Sequence, residues 1–266
     1  MAAETPANSP RRPSASRAPV SQVRILFYQV ALVAAVVLIW EAAVHWKWVP
    51  VYLYGQPSGV AAKATSLIAS GELWKHTQYT AFEAIAGFLI GTSLGSLAGL
   101  LLWLSETVAK VLRPIIVAIN GVPKIALAPL IIVWFGIGVG AKVAIAAMLT
   151  FIVALIAVYQ GTQQIDNDLV RLMRSLGAKR IQIWQKVVVP GTAPWILSAM
   201  RLNIGFAMIG AVVGEYISAK QGLGFFIYNA GALYDLNSVL VGIFALMVLA
   251  LLLDAILSVI ERKSRW

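Results

Sequence analysis

The chain has 266 residues, of which 60% are hydrophobic and only 12% charged, and 21 Lys+Arg against 11 Asp+Glu leave a net charge of +10. Soluble domains carry about 25% charged residues, so there is too little polar surface here to coat a soluble body, and the mean hydropathy of +0.82 points to the membrane. The absence of cysteine excludes disulfides, thiolate nucleophiles and cysteine-based metal sites.

Residues 1–24 differ from everything after them. Pro6, Pro10, Pro13 and Pro19 alternate with Ser, Ala and Arg11, Arg12, Arg17 and Arg24, the composition of a disordered basic tail. Arg11-Arg12 does not read as a twin-arginine export signal, because Pro13 follows at once and the next apolar run is too long for a signal segment.

Six apolar segments follow, near 25–45, 78–104, 114–135, 143–161, 194–217 and 237–259. A spanning helix needs about 20 predominantly apolar residues, so these predict an all-α integral membrane protein with six transmembrane helices over 25–262 and a short tail, 263–266. The long connection 46–77 contains an amphipathic stretch near Ser58–Ser70. In the second span Gly87, Gly91, Gly95 and Gly99 recur every four residues, a small-residue stripe that lets helices pack closely. Gly91-Thr92-Ser93-Leu94-Gly95 is formally a G-x-S-x-G, but it lies mid-helix rather than on a strand–turn–helix elbow, so Ser93 reads as packing. The third span is interrupted by Pro114, Pro123, Lys124 and Pro129. Breakers survive in a membrane where neighbours or a wet cavity satisfy the freed backbone, so this segment is expected to be buried in the bundle and to line something.

Placing the amino terminus in the cytoplasm leaves no arginine outside, where only Lys47, Lys63, Lys75, Lys142 and Lys220 fall. The positive-inside rule then puts both termini in the cytoplasm, and the basic charge reads as orientation rather than as a nucleic-acid surface. Four acids and bases fall within spans. Glu83 and Asp254 are expected near helix ends, whereas Lys124 and Glu215 remain inside, and Arg201 is expected to snorkel at the cytoplasmic start of the fifth span.

The inward connection 162–193 is the most patterned. Asp166, Asn167 and Asp168 offer N-cap side chains, and Leu169, Leu172, Met173 and Leu176 form one helical face around Arg171 and Arg174. Gly177 stands at the C′ position before Ala178, and Ile181, Trp184 and Val188 make a second short stripe that Pro190 is expected to end. Such a helix pair either lies on lipid headgroups or docks a cytoplasmic partner.

Here the chain resembles the permease subunits of bacterial ATP-binding-cassette importers. Their loop pattern runs Glu-Ala-Ala, three residues, Gly, nine residues, then Ile-x-Leu-Pro. Gly177 precedes Val187, Val189 and Pro190 at the matching spacing, while Arg171, Leu172 and Met173 stand where Glu-Ala-Ala is expected. Pro123 to Leu130 with Trp134 to Gly138, Ser175 to Ala178, Glu215, Gly222-Leu223-Gly224, Trp40-Glu41 and His76 with Gly87-Phe88 are similar to the nitrate/taurine/alkanesulfonate branch. Glu83 departs from it, a basic residue being expected there.

The resemblance covers roughly residues 30–262. It implies a type I importer bundle in the bacterial inner membrane, with a second permease copy completing the pore, most simply as a homodimer. A cytoplasmic ATPase dimer would dock on the 162–190 loop through Asp168, Leu169, Arg171, Leu172, Met173, Arg174, Leu176, Gly177, Ala178 and Pro190. An extracytoplasmic solute-binding protein would deliver a small anion near 46–77 and Gly222–Leu236. In family terms spans three and five line the pathway, making Asn120, Pro123, Lys124, Pro129 and Glu215 its candidates. No P-loop occurs, so ATP and Mg would be bound by the partner ATPase and this chain is expected to be no enzyme and to hold no cofactor. His45 and His76 are too far apart to suggest a metal site. An ion-coupled secondary transporter would instead need an internal repeat and a midplane ion site, and a membrane enzyme would need partners for Ser93 that the sequence does not offer.

Overall fold

The computed structural model describes residues 22–264. The predicted 1–24 tail therefore lies almost entirely outside the described residues, and its last three positions already belong to α1, Gln22–His45. After the turn α2, Val51–Tyr54, and the amphipathic helix α3, Pro57–Ala69, the second span α4 runs over Glu72–Leu102. It begins six residues earlier than its apolar run, the polar first turns staying helical. Then come α5, Glu106–Gly121, α6, Ala128–Phe135, and α7, Val139–Gln163. The inward loop holds α8, Asn167–Ser175, α9, Arg180–Ile183, and the single turn α10, Val189–Gly191. Finally α11, Ala193–Ser218, α12, Leu223–Ala232, and α13, Leu236–Ser264, complete the chain. The predicted tail at 263–266 is thus helical as far as Ser264.

Five of these helices, α1, α4, α7, α11 and α13, are long and apolar enough to cross a membrane, and α5 with the segment Lys124–Phe135, bent by 89°, makes a sixth if the bent pair is one broken span rather than a re-entrant loop. The bend follows from the sequence. Pro123 cannot continue the helix, Val122 before it is extended (φ −72°, ψ 134°), and a 3₁₀ turn at Lys124–Leu127 restarts the chain into α6 with Pro129 in its first turn.

The core is the α4–α7–α11 layer. Gly87, Gly91, Gly95 and Gly99 all face α7, and a Cβ built on Gly91 would sit 2.0 Å from Thr150 Oγ1 and 2.1 Å from the Ala147 carbonyl. Gly210 of α11 also approaches Ala146 of α7 so closely that a Cβ would lie 2.5 Å from its Cα. Thr150 bridges the layer at its centre, its hydroxyl 3.2 Å from the Gly87 carbonyl, while Asn203 of α11 donates to its backbone oxygen and to Thr92 Oγ1 at 3.0 and 2.9 Å. Close contact of this kind supplies the dispersion that replaces the hydrophobic effect inside lipid.

The remaining elements hang on this layer. Leu223, Phe226 and Ile227 of α12 are buried between α4, α11 and α13. By contrast, no residue in the apolar window of α1 is buried. Its outer end is tied to α3 instead, the Glu41 carboxylate accepting from Ser58 N at 3.0 Å and Gln56 Nε2 at 2.7 Å and so capping the α3 amino terminus.

Candidate functional site

Three polar features stand out, one on the inner face, one buried and one open. On the inner face, Asp166 Oδ1 accepts from Asp168 N at 2.8 Å and starts α8. Gly177 ends it at φ +77°, with Ala178 N bonding the Met173 carbonyl and Gly177 N the Arg174 carbonyl, both at 3.0 Å. This C-terminal motif closes two orphan carbonyls and needs the left-handed conformation that glycine adopts without cost. Val170 is buried beneath α8, while Leu169, Leu172 and Leu176 are exposed beside Arg171 and Arg174. The helix therefore presents an apolar ridge with basic flanks away from the bundle.

The expectation that Pro190 ends the second stripe is wrong. The chain passes from α9 through a π-helical segment, Trp184–Val188, and α10 into α11 without leaving helical geometry, Val189 N bonding back to the Trp184 carbonyl. Proline lacks a donor and crowds the preceding turn, and widening that turn to i→i+5 bonds accommodates it. Two contacts lock this stretch to the inner end of α4. Trp184 Nε1 donates to the Leu100 carbonyl at 2.9 Å and Arg180 Nη2 to the Trp103 carbonyl at 3.0 Å, with the guanidinium over the Trp103 ring.

The second feature is a buried charge cluster that revises three readings. Lys142 is not an outer-loop lysine. It is 5% exposed inside α7, with Nζ 3.3 Å from Glu83 Oε1. Glu83 is not at a helix end but fully buried in α4, beside the equally buried Glu215 of α11. Glu215 Oε1 accepts from Thr80 Oγ1 at 2.6 Å and Oε2 from Gly224 N at 2.5 Å, while Leu223 N donates to Thr80 Oγ1 and Gly222 N to His76 Nδ1. The Gly222-Leu223-Gly224 turn is thus folded over the carboxylate at the amino end of α12, where a helix welcomes negative charge. Gly222 has φ +111°, and a Cβ there would overlap the Glu215 carboxyl carbon at 2.2 Å. The cluster is closed, so Glu215 ties four helices together and faces no open volume in this structure. Arg201, expected to snorkel, keeps a half-exposed guanidinium and pairs with Glu261 of α13. Asp254 stays exposed on α13.

Lys124 shares no hydrogen bond or ion pair with this cluster. Its Nζ lies 3.1 Å from Asn120 Oδ1 and 3.2 Å from the Asn120 carbonyl, across the break that Pro123 makes. Asn120 itself borders the third feature, a cavity of about 490 Å³ between α5 and the inner end of α7. Arg113, Asn120, Tyr159, Gln160, Gln163 and Gln164 supply its polar wall. Sequence reasoning missed this chamber. Gln160, Gln163 and Gln164 at and just beyond the end of the apolar 143–161 segment were a usable signal.

Compared with known proteins, residues 91–266 match the family model described as the binding-protein-dependent transport system inner membrane component. The chain is 34% identical to the aliphatic sulfonates transport permease protein SsuC of Escherichia coli (strain K12) over 236 residues, 88% of this chain and 90% of that one. It is 32% identical to the riboflavin transport system permease protein RibX of Chloroflexus aurantiacus, covering 85% of each. It is also 32% identical to the formylaminopyrimidine transport permease protein ThiX of Halalkalibacterium halodurans, covering 81% of this chain and 85% of that one. A chain of the inward-facing MetNI methionine ABC transporter superposes with a TM-score of 0.60 at 21% identity, covering 74% of this chain and 96% of that chain, a likeness of fold.

Proposed function

Since the chain belongs to the binding-protein-dependent inner membrane permeases of ABC importers, we propose that it forms the translocation pathway for a small anionic solute in an ATP-driven importer. A second copy completes the pore, an extracytoplasmic binding protein delivers the solute, and a separate ATPase dimer, which binds ATP and Mg, drives the cycle from the inner face. The observation that carries the coupling is α8 with its exposed Leu169, Leu172 and Leu176, joined through α9 and the π segment to α11 and pinned to α4 by Trp184 and Arg180. An exposed apolar ridge with basic flanks suits a protein groove, and the rigid connection behind it carries a displacement into two spans at once. Differential affinity of the ATPase for the two arrangements of the loop shifts the bundle between inward-open and outward-open states. Lys124 and Asn120 at the broken crossing leave a polar face along the open side of α5, where an anion is favoured over a cation.

The test is reconstitution in proteoliposomes with the ATPase and binding protein. Solutes are first chosen by thermal shift of the binding protein against alkanesulfonates, taurine, nitrate and pyrimidines. Uptake is expected only with ATP and both partners present. Uptake by the chain alone under an ion gradient would overturn the proposal in favour of a secondary transporter. Leu172→Asp with Leu176→Asp, both on the exposed ridge, is expected to abolish ATPase association while leaving membrane insertion intact; association at parental affinity would remove α8 from the docking role.

A further inference from the structure

We infer that the α5–α7 chamber is an anion-holding station in the inner half of the protein, a resting site for a sulfonate, carboxylate or similar oxoanion. This rests on the permease reading above. The chamber, about 490 Å³, is of the size that binds small molecules. Its polar wall comes from two helices, so it is built and not a single-helix stripe. Arg113 supplies a fixed positive charge and, among the described residues, has no ion pair. Tyr159, Gln160 and Gln163 line the same chamber with hydroxyl and amide groups, and Asn120, also in the lining, holds the Lys124 ammonium at 3.1 Å.

Arg113 and Asn120 are two turns apart on α5, about 10 Å along the axis, so the chamber has one cation, Arg113, in its lining, a second, Lys124, bonded to its Asn120, and no acidic residue in its lining. The nearest acid on the same helix, Glu106, is engaged by Lys110 at 2.7 Å. Arg113 is exposed towards this chamber, and an oxoanion is the ligand whose geometry its planar donor fork matches. Tyr159 and Gln163 also border a second recess of about 250 Å³, which carries Arg174 and Arg180 at the inner face. That recess also carries Glu106, which Lys110 neutralises at 2.7 Å, so its uncompensated charges are basic.

The chain has no cysteine, so a single thiol reports the local field directly. Gln160→Cys in the assembled transporter in nanodiscs is reacted with an anionic (sulfonatoethyl) and a cationic (trimethylammonioethyl) methanethiosulfonate, and modification of this chain is followed by mass. The anion-to-cation rate ratio, normalised to a free thiol, is expected to rise on the order of tenfold. Arg113→Gln should return it to the free-thiol value and Arg113→Lys should keep most of it. If Arg113→Gln does not assemble, Gln163→Glu, which sets a carboxylate in the chamber, should lower the ratio by a similar factor. No reaction with either reagent, a ratio at the free-thiol value, or a ratio indifferent to both Arg113→Gln and Gln163→Glu would overturn the site. ATP-driven uptake by the parent transporter separates the two claims. Uptake with a flat ratio removes the chamber and keeps the permease. Failure of the chain to assemble with any ATPase removes the permease, while the ratio measured on the chain alone still reports the field.

Discussion

Removing Lys142 from its cluster should be among the most damaging single changes in the bundle, and the neighbouring glutamate should be nearly dispensable. Lys142 is the one cation against two fully buried carboxyls, Glu83 and Glu215. Fully ionised, the three groups sum to −1. Lys142→Met deletes the only positive member, and breaking a buried pair in this way costs about 3–5 kcal/mol because it leaves uncompensated charge in a low-dielectric interior. Glu83→Gln has the opposite effect on the balance, leaving Lys142 with Glu215, whose carboxylate keeps its bonds from Thr80 and Gly224 N. Loss of one hydrogen-bonding partner of that kind costs about 1 kcal/mol, and the relief of like charges offsets it. The measurement is reversible unfolding of the detergent-solubilised chain by SDS titration, for both single variants and the double. The expected order is a large loss for Lys142→Met, about 1 kcal/mol or less for Glu83→Gln, and partial recovery in the double. A Glu83→Gln loss as large as that of Lys142→Met, or strict additivity in the double, would refute the charge bookkeeping.

Other changes test the remaining structure. Gly91→Ala places a methyl 2.0 Å from Thr150 Oγ1 and should cost about 1–3 kcal/mol through overpacking, whereas Gly205→Ala, with nothing within 4 Å, should be neutral or stabilising by up to about 1 kcal/mol; equal melting temperatures would show that the stripe does not set the α4–α7 distance. Trp184→Phe keeps the ring but loses the bond to the Leu100 carbonyl, and should lower uptake per ATP hydrolysed while ATPase binding persists; unchanged coupling would unpin the loop from α4. At the outer face, burial works against the Asp235 carboxylate, but hydrogen bonds from Ser238 and the Lys63 ammonium outweigh it and hold its pKa below the ordinary 3.8. The stability it lends is therefore present above that value and lost as pH falls through the lowered one. Asp235→Asn should thus cost about 0.5–1 kcal/mol at neutral pH, a difference that shrinks below 3.8 and disappears only once the pH is below the lowered value; a deficit that persists there would point to lost shape rather than charge.

How much of this was legible depended on whether a signal was local. The spans, the break at Pro123, the N-cap at Asp166 and the left-handed Gly177 each follow from a few neighbouring residues, and each is where the pattern places it, but the broken third span, expected to be buried in the bundle, is largely exposed, with only Ala109 of α5 buried. The motif residues His76, Glu215 and Gly222-Leu223-Gly224 were visible, but nothing in one dimension brings them together; a carboxylate under the amino end of α12 is a tertiary fact. Lys142 was misplaced for a related reason. A lysine three residues into an apolar helix looks like a loop end until its partner, 59 positions earlier, is seen packed against it. Pro190 misled because a proline normally stops a helix, and the π turn that absorbs it has no sequence mark. The chamber lay hidden in residues whose charge and polarity already had another explanation.

The glycine stripe has a mechanical meaning. Four backbone contacts without side chains between them leave α4 and α7 no lubricating layer: translating one along the other would drive each glycine Cα into a neighbouring carbonyl or methyl. The two helices are therefore expected to move as one stiff plate, and compliance has to reside elsewhere, at the 89° elbow between α5 and α6 and along the sparsely packed α5. On the proposed coupling, a stroke applied at the loop is expected to reach that plate through Trp184 and Arg180 and to be spent at the elbow rather than dissipated between the spans.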